Sequence, residues 1–334
     1  MPIATLCLSK CEAIIACIWL SVQLCASSPS RRNLCAASIA IAAEFPSPKT
    51  AMRRAFIISL AAFSSAVSSS TPSVLSSDTN ISKENLEAIE RLSKKQIGTI
   101  LLTGRTLYEV PEKLRNAGGV KYIVFSDGAG IWSRENGIIK YEYFPADTAR
   151  EIFNLLSLCE TFIEVYSGGK PLVESKKLNP EQVNYYHIDS NFIPEIFKSR
   201  CAVESLATLF DDKSHKTELF DVFFKYETER AECEKRLKVV FGGISVTSSM
   251  TNNLEICPPG VNKGATLTQF CGELGIDIRN VAVAGDSPND ISAFKTQAKK
   301  YAVSNACCGV KNLADKVICS NDENIMCYFE KEFA

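Results

Sequence analysis

Two short apolar strands separated by one helix constrain this chain more than any other feature. Ile97–Leu102 reads as a buried strand that ends at Thr103-Gly104-Arg105, and a helix is predicted from about Leu107 to Asn116. Lys121–Phe125 reads as the next strand and ends at Ser126-Asp127-Gly128-Ala129. Strand, helix and strand at this spacing form a βαβ unit, which calls for a parallel sheet. A helix is expected just upstream, with Ser82 as N-cap, Asn85 at the third position, and Leu86, Ile89 and Leu92 as its apolar face. The same α/β style returns late in the chain. Lys263–Leu274 reads as a helix, Val281–Ala284 as a buried strand, Asp290–Lys299 as a helix and Tyr301–Val303 as a short strand.

Between these two α/β stretches the pattern changes. Strand-like runs at Gly137–Phe144, Phe162–Tyr166, Phe220–Tyr226 and Gly243–Ser248 alternate with helical stretches at Ala146–Leu156, Asn191–Phe210 and Glu227–Val240. The organisation expected is a core from residues 55–130 and 256–334, with residues 131–255 inserted as an α+β cap. A length of 334 residues suits such a two-domain chain. Thirty-seven basic against 38 acidic residues leave no general basic excess, so a nucleic-acid partner is not expected. The 14 cysteines are scattered without metal-ligand spacing and read as reduced, mostly buried thiols. His187 and His215 lie far apart and carry no ligand-like spacing, and Cys307-Cys308 reads as two thiols.

Residues 1–54 are a different kind of polypeptide. Glu12 and Glu44 are the only acids before Asp78. The apolar run Ala13–Ala26 is too short for a comfortable membrane span but suits the apolar part of a signal peptide, and Arg53-Arg54 with Ala55–Ala66 repeats that pattern. The acid-poor composition also suits a transit peptide. Three readings stay open: a targeting segment, a poorly ordered extension, or a first exon that does not belong to the rest. With no stable membrane span expected, the folded part is placed in the cytoplasm. Ala55–Phe63 suits a buried strand or a helix equally, because a continuous apolar run does not separate the two.

Four loops line up on one edge of the expected sheet: Thr103-Gly104-Arg105, Ser126-Asp127-Gly128, Gly285-Asp286-Ser287-Pro288-Asn289-Asp290, and Lys263 at the start of its helix. Open α/β sheets bind ligands outside the carboxyl ends of their strands. Carboxylates there suit Mg²⁺; a hydroxyl, an ammonium and helix N-terminal amides suit phosphate.

This set resembles the haloacid-dehalogenase-like (HAD) phosphohydrolases, specifically the Cof-type group with a large cap. The likeness runs from about Leu75 to Tyr328. It is carried by Leu-Leu-Thr-Gly-Arg (101–105), Ile-Val-Phe-Ser-Asp-Gly-Ala (123–129), Leu-Glu-Ile-Cys-Pro-Pro-Gly-Val-Asn-Lys-Gly (254–264) and Gly-Asp-Ser-Pro-Asn-Asp (285–290). The resemblance implies an α/β, Rossmann-like parallel-sheet core with an α+β cap. It also implies Mg²⁺-dependent hydrolysis of small phosphorylated metabolites such as sugar phosphates. Thr103, Gly104, Lys263 and Asn289 would bind phosphate, Lys263 with a catalytic role, and Asp286 and Asp290 would hold the metal. Two departures stand out. Asp127 takes the place of the family's asparagine. The first motif, which should supply an aspartate nucleophile and an acid/base aspartate, aligns with Ser69 and Thr71. A neutral hydroxyl supplies neither role. The alternatives are therefore a phosphatase, a non-catalytic phospho-ligand binder and, less favoured, a phosphomutase.

Overall fold

The computed structural model describes residues 54–59, 81–188, 193–321 and 323–333. The first strand, β1 (Arg54–Ser59), is followed by α1 (Lys83–Lys94), β2 (Ile97–Leu102), α2 (Glu112–Asn116) and β3 (Val120–Phe125). Two further strands, β4 (Gly130–Ser133) and β5 (Gly137–Tyr141), follow directly. Of the stretch Ala55–Phe63, open between strand and helix in sequence, residues 55–59 belong to β1 and the rest lies outside the described residues. This strand pairs in parallel with β2, Ser59 level with Leu102. A continuous apolar run is what a parallel strand between two others requires.

Ser82 accepts the Asn85 amide at 3.1 Å, so the predicted cap starts α1. The helix expected over 107–116 is interrupted: Leu107–Glu109 is a 3₁₀ turn and α2 begins after Pro111. Proline disfavours helical backbone in the residue before it.

A second sheet follows. It is built from α3 (Ala146–Leu156), β6 (Thr161–Ser167), β7 (Lys170–Glu174), α4 (Pro180–Tyr185), α5 (Ile193–Ser199) and β8 (Cys201–Val203), then β9 (Leu219–Phe224), α6 (Glu227–Val240), β10 (Ser245–Thr247) and β11 (Asn253–Cys257). Its strand order is β10-β11-β9-β6-β7-β8. The long helix expected over 191–210 ends at Ser199 instead, and Cys201–Val203 pairs in parallel with the edge of β7. One face of this sheet packs Val165, Phe220, Val222 and Ile256 against Ile152 of α3 and Leu237 of α6.

The chain then returns through α7 (Lys263–Glu273), β12 (Val281–Gly285), α8 (Ile291–Phe294), β13 (Lys299–Val303), α9 (Cys308–Lys311), β14 (Lys316–Ile318) and α10 (Ile325–Glu332). The first sheet has the order β14-β13-β12-β1-β2-β3-β4-β5. Pairing is parallel from β14 to β3 and antiparallel for β4 and β5. This corrects the boundary expected at residue 131: Gly130–Tyr141 extends the first sheet, and the second sheet keeps its last strand through Cys257. The reason is local. Left-handed backbone at Ser126 and Asp127 (φ 49° and 51°) turns the chain back, and Gly130 meets Phe125 as the first pair of an antiparallel ladder. Among the described residues no helix is long and apolar enough to cross a membrane.

Buried polar contacts tie the two sheets together. Arg200, at the end of α5, forks onto Glu164 of β6 at 2.9 Å through two nitrogens and pairs with Glu109 beside β2. Glu218 accepts from the Gly169 amide at 2.8 Å and from the Ser126 hydroxyl at 3.1 Å. Breaking a buried ion pair from one side leaves a charge uncompensated, whereas replacing all partners with neutral groups is far less costly. Arg200→Met is expected to lower unfolding free energy by about 3–5 kcal/mol in urea denaturation. Adding Glu109→Gln and Glu164→Gln should restore most of it.

Candidate functional site

The carboxyl edge of the first sheet gathers the predicted loops. Thr103 follows β2, donating its amide to Val124 O at 2.9 Å, and its hydroxyl accepts the Arg105 amide at 3.0 Å. The Asp127 amide donates to Thr103 O at 3.0 Å, so the loops after β2 and β3 are laced together. Gly104 sits where these loops meet the rest of the site. A Cβ there would stand 3.1 Å from Asp127 Oδ1, 3.3 Å from Asn289 Nδ2 and 3.4 Å from Glu255 Oε1.

Lys263 opens α7, whose N-cap Asn262 accepts the Ala265 amide at 2.9 Å. Its side chain is fully buried, with Nζ 2.8 Å from Asp290 Oδ1 and 3.6 Å from Asp127 Oδ1. Burial alone would lower the pKa of this ammonium, but the Asp290 and Asp127 carboxylates outweigh it and hold the pKa above the ordinary lysine value. The second oxygen of Asp290 accepts the backbone amides of Asp286 and Ser287 at 2.9 and 3.2 Å. Both oxygens of Asp290 are thus engaged in bracing the loop after β12. Gly285 is required by that brace, since a Cβ there would lie 2.5 Å from Asp290 Oδ2.

Asp286 accepts from the Ser287 hydroxyl at 3.1 Å and from the Asn321 amide at 3.5 Å. Asn289 is turned toward the second sheet: its amide donates to Glu255 Oε2 at 3.1 Å and approaches Asp127 Oδ1 at 3.5 Å. Thr103, Gly104, Lys263, Asp286, Asn289 and Asp290 therefore lie in one cluster on one sheet edge. Among the described residues no three histidine, cysteine, aspartate or glutamate side chains converge as a metal cage. Ser69 and Thr71 lie outside the described residues. The strand between β12 and β2 ends at Ser59, and the sequence holds no carboxylate from Phe45 to Ser77.

Glu255 was not anticipated from sequence, although it reaches the centre of the cluster from β11. The available signal was an acid flanked by apolar residues in Leu254-Glu255-Ile256. Asp127 and Glu255 meet there as two buried carboxyls. Burial, then the charge of Glu255, push the Asp127 carboxyl well above the usual carboxylate range. A folded-state value above the unfolded one, near 4, means this proton favours the fold at low pH. That contribution is complete below the unfolded value and lost as pH rises through the folded one. Asp127→Asn removes the penalty. It is expected to melt at a higher temperature than the parent at pH 8, with the difference closing below about pH 4; thermal melts across pH measure this.

The sequence profile of the haloacid dehalogenase-like hydrolases matches residues 73–328. The chain is 23% identical over 271 residues to phosphatase YwpJ of Bacillus subtilis, covering 77% of this chain and 95% of that protein. It is 25% identical over 267 residues to the 5-amino-6-(5-phospho-D-ribitylamino)uracil phosphatase YwtE of the same organism, covering 77% and 93%. A solved haloacid dehalogenase-like hydrolase from B. subtilis superimposes with a TM-score of 0.69 at 21% identity, covering 84% of this chain and all of that one. With the profile spanning most of its length and the motif loops gathered on one sheet edge, this chain belongs to the haloacid dehalogenase-like hydrolase family.

Proposed function

We propose that this chain binds small phosphorylated metabolites in a phosphatase-type site and, with the residues it carries, hydrolyses them poorly. The single observation behind this reading is the contrast across one sheet edge. The loops after β2 and β12 and the start of α7 carry the groups a phosphate needs, while the strand between β12 and β2 leads into sequence with no carboxylate before Asp78.

The division of labour follows from chemistry. The Thr103 hydroxyl and the amide of Gly104 are suited to donate to phosphate oxygens. Lys263 supplies a fixed positive charge, held in place by Asp290. Asn289 closes the site toward the cap through Glu255. Asp286, whose carboxylate accepts from a hydroxyl and an amide, is the residue suited to hold Mg²⁺, because this ion takes one or two carboxylates and fills its remaining positions with water and substrate phosphate. When bound, Mg²⁺ supplies charge neutralisation for the phosphate. Asp290 acts in this reading as the brace of the loop.

Family hydrolysis proceeds through a carboxylate that attacks phosphorus, and a serine or threonine hydroxyl with no base beside it does not replace it. Relatives such as YwpJ and YwtE, named as phosphatases, support the phosphate-ester class of ligand. Losing the nucleophile and its metal-binding charge removes about 4–8 kcal/mol of transition-state stabilisation, or roughly 10³–10⁶ in rate. Hydrolysis of an aryl phosphate with Mg²⁺ is therefore expected to be slower by that factor than for an aspartate-bearing relative. Inorganic phosphate should still bind by calorimetry and bind more weakly to Thr103→Val. Robust Mg²⁺-dependent turnover by the unmodified chain, abolished by Asp286→Ala, would overturn the reading.

A further inference from the structure

The face of the second sheet that looks toward the site is arranged in rows. Tyr166, Leu219 and Cys257 form one row and pack with Ala129 and Val261. Phe162 and Phe223 form another, level with Asn253, and join a separate apolar cluster. Between them runs a row of three acids. Glu164 stands directly opposite Asp221, and Asp221 directly opposite Glu255. Like charges so placed on adjacent strands are destabilising, and these three are 0%, 6% and 5% exposed. An apolar row would fit the same pleat with less cost.

The two ends of the row are held from elsewhere: Glu164 by the fork of Arg200, Glu255 by the Asn289 amide. Asp221 accepts one hydrogen bond, at 2.9 Å, from the neutral amide of Asn253. A second observation comes from the other sheet. Asp127 and Asn289, 1% and 5% exposed, converge on Glu255, and Asp127 Oδ2 and Asn289 Oδ1 have no hydrogen-bond partner. Arg200 on Glu164 and Lys263 near Asp127 answer the flanks of this group, whereas the acceptors between them, the Asp221 carboxyl and Asn289 Oδ1, are met by no cation among the described residues. A ligand group that satisfies them carries several N–H bonds and a positive charge.

We propose that the acid row centred on Asp221, with Glu255 at its phosphate end, is the subsite for an ammonium or amidinium group on the part of the substrate beyond its phosphate. This rests on the phosphate-binding reading above. Glu255 adjoins Gly104, and Asp221 lies one strand further away, about 4.8 Å. A nitrogen separated from the phosphate by a short carbon chain spans that interval. A site lined with buried acceptors discriminates strongly against an analogue that leaves them unpaired.

Calorimetric titration of the full chain with inorganic phosphate, straight-chain alkyl phosphates and ω-aminoalkyl phosphates of matched length tests this. At the best length the amine should bind at least about tenfold more tightly than its alkyl partner, without added metal. In Asp221→Asn, and separately in Glu255→Gln, that ratio should fall to within about twofold. Both substitutions keep the size and shape of the side chain, so thermal melting should show folded protein. Equal affinities for amine and alkyl esters, with inorganic phosphate still bound, would overturn the inference and leave the phosphate site standing. So would a ratio unchanged in both variants, or a gain seen only when a divalent metal is added. Failure of every phosphate to bind would bring down the phosphate reading, and this inference with it.

Discussion

The buried pair Lys263–Asp290 joins the start of α7 to the loop after β12. One oxygen of Asp290 takes the ammonium; the other takes two backbone amides from the loop after β12. The start of α7 and the end of β12 are thereby fixed to each other through a single side chain. The position of Asp286 follows, since its own amide is one of those two donors. Close backbone approach makes the arrangement possible: a Cβ on Gly264 would stand 2.1 Å from Ser292 O, so α7 can settle against the start of α8 only with glycine there. Burying an ion pair is weak as a source of net stability. Its value here lies in geometry, because it fixes the ammonium of Lys263 in one place on the sheet edge.

The contacts between the sheets follow a different logic. Arg200 is shared by Glu109 and Glu164, and Glu218 is shared by Gly169 and Ser126. Arg200–Glu109 and Glu218–Ser126 cross from one sheet to the other, while Glu164 and the Gly169 amide hold Arg200 and Glu218 from within the second sheet, so separating the sheets exposes charges that then gain hydration. The docked arrangement is therefore held by interactions with a ready alternative in water. Large apolar interfaces have no such alternative. Among the described residues, the buried apolar cluster between the sheets is small: Ala129, Tyr166, Leu219, Cys257 and Val261.

Much of this was legible in the sequence because it is local. The Thr103, Lys263 and Asp286–Asp290 stretches each sit at an element boundary, where chain direction and chemistry are set by neighbouring residues. β4 and the edge strand β5 were not assigned correctly, because Gly137–Tyr141 reads the same whether it extends one sheet or begins another; the choice is made by the turn at Ser126 and Asp127. Glu164, Asp221 and Glu255 were passed over for a related reason. Each is a lone acid inside an apolar strand, as in Phe-Ile-Glu-Val-Tyr and Leu-Phe-Asp-Val-Phe-Phe. Only the register that lines them up shows that three separate irregularities are one feature.

The same distinction explains how the fold and its chemistry can part company at β1. A strand between two parallel neighbours is held by its backbone ladder on both sides, and β1 matches β12 and β2 residue for residue over Ala55–Ile58. That ladder asks for extended backbone and apolar side chains, which Ala-Phe-Ile-Ile provides. It places no demand on the residue that follows the strand. An apolar segment can therefore fill the slot without supplying a carboxylate, and the neighbouring loops hold their shape independently of it, because their own bracing lies in Asp290, Asn289 and the Thr103–Asp127 backbone contact.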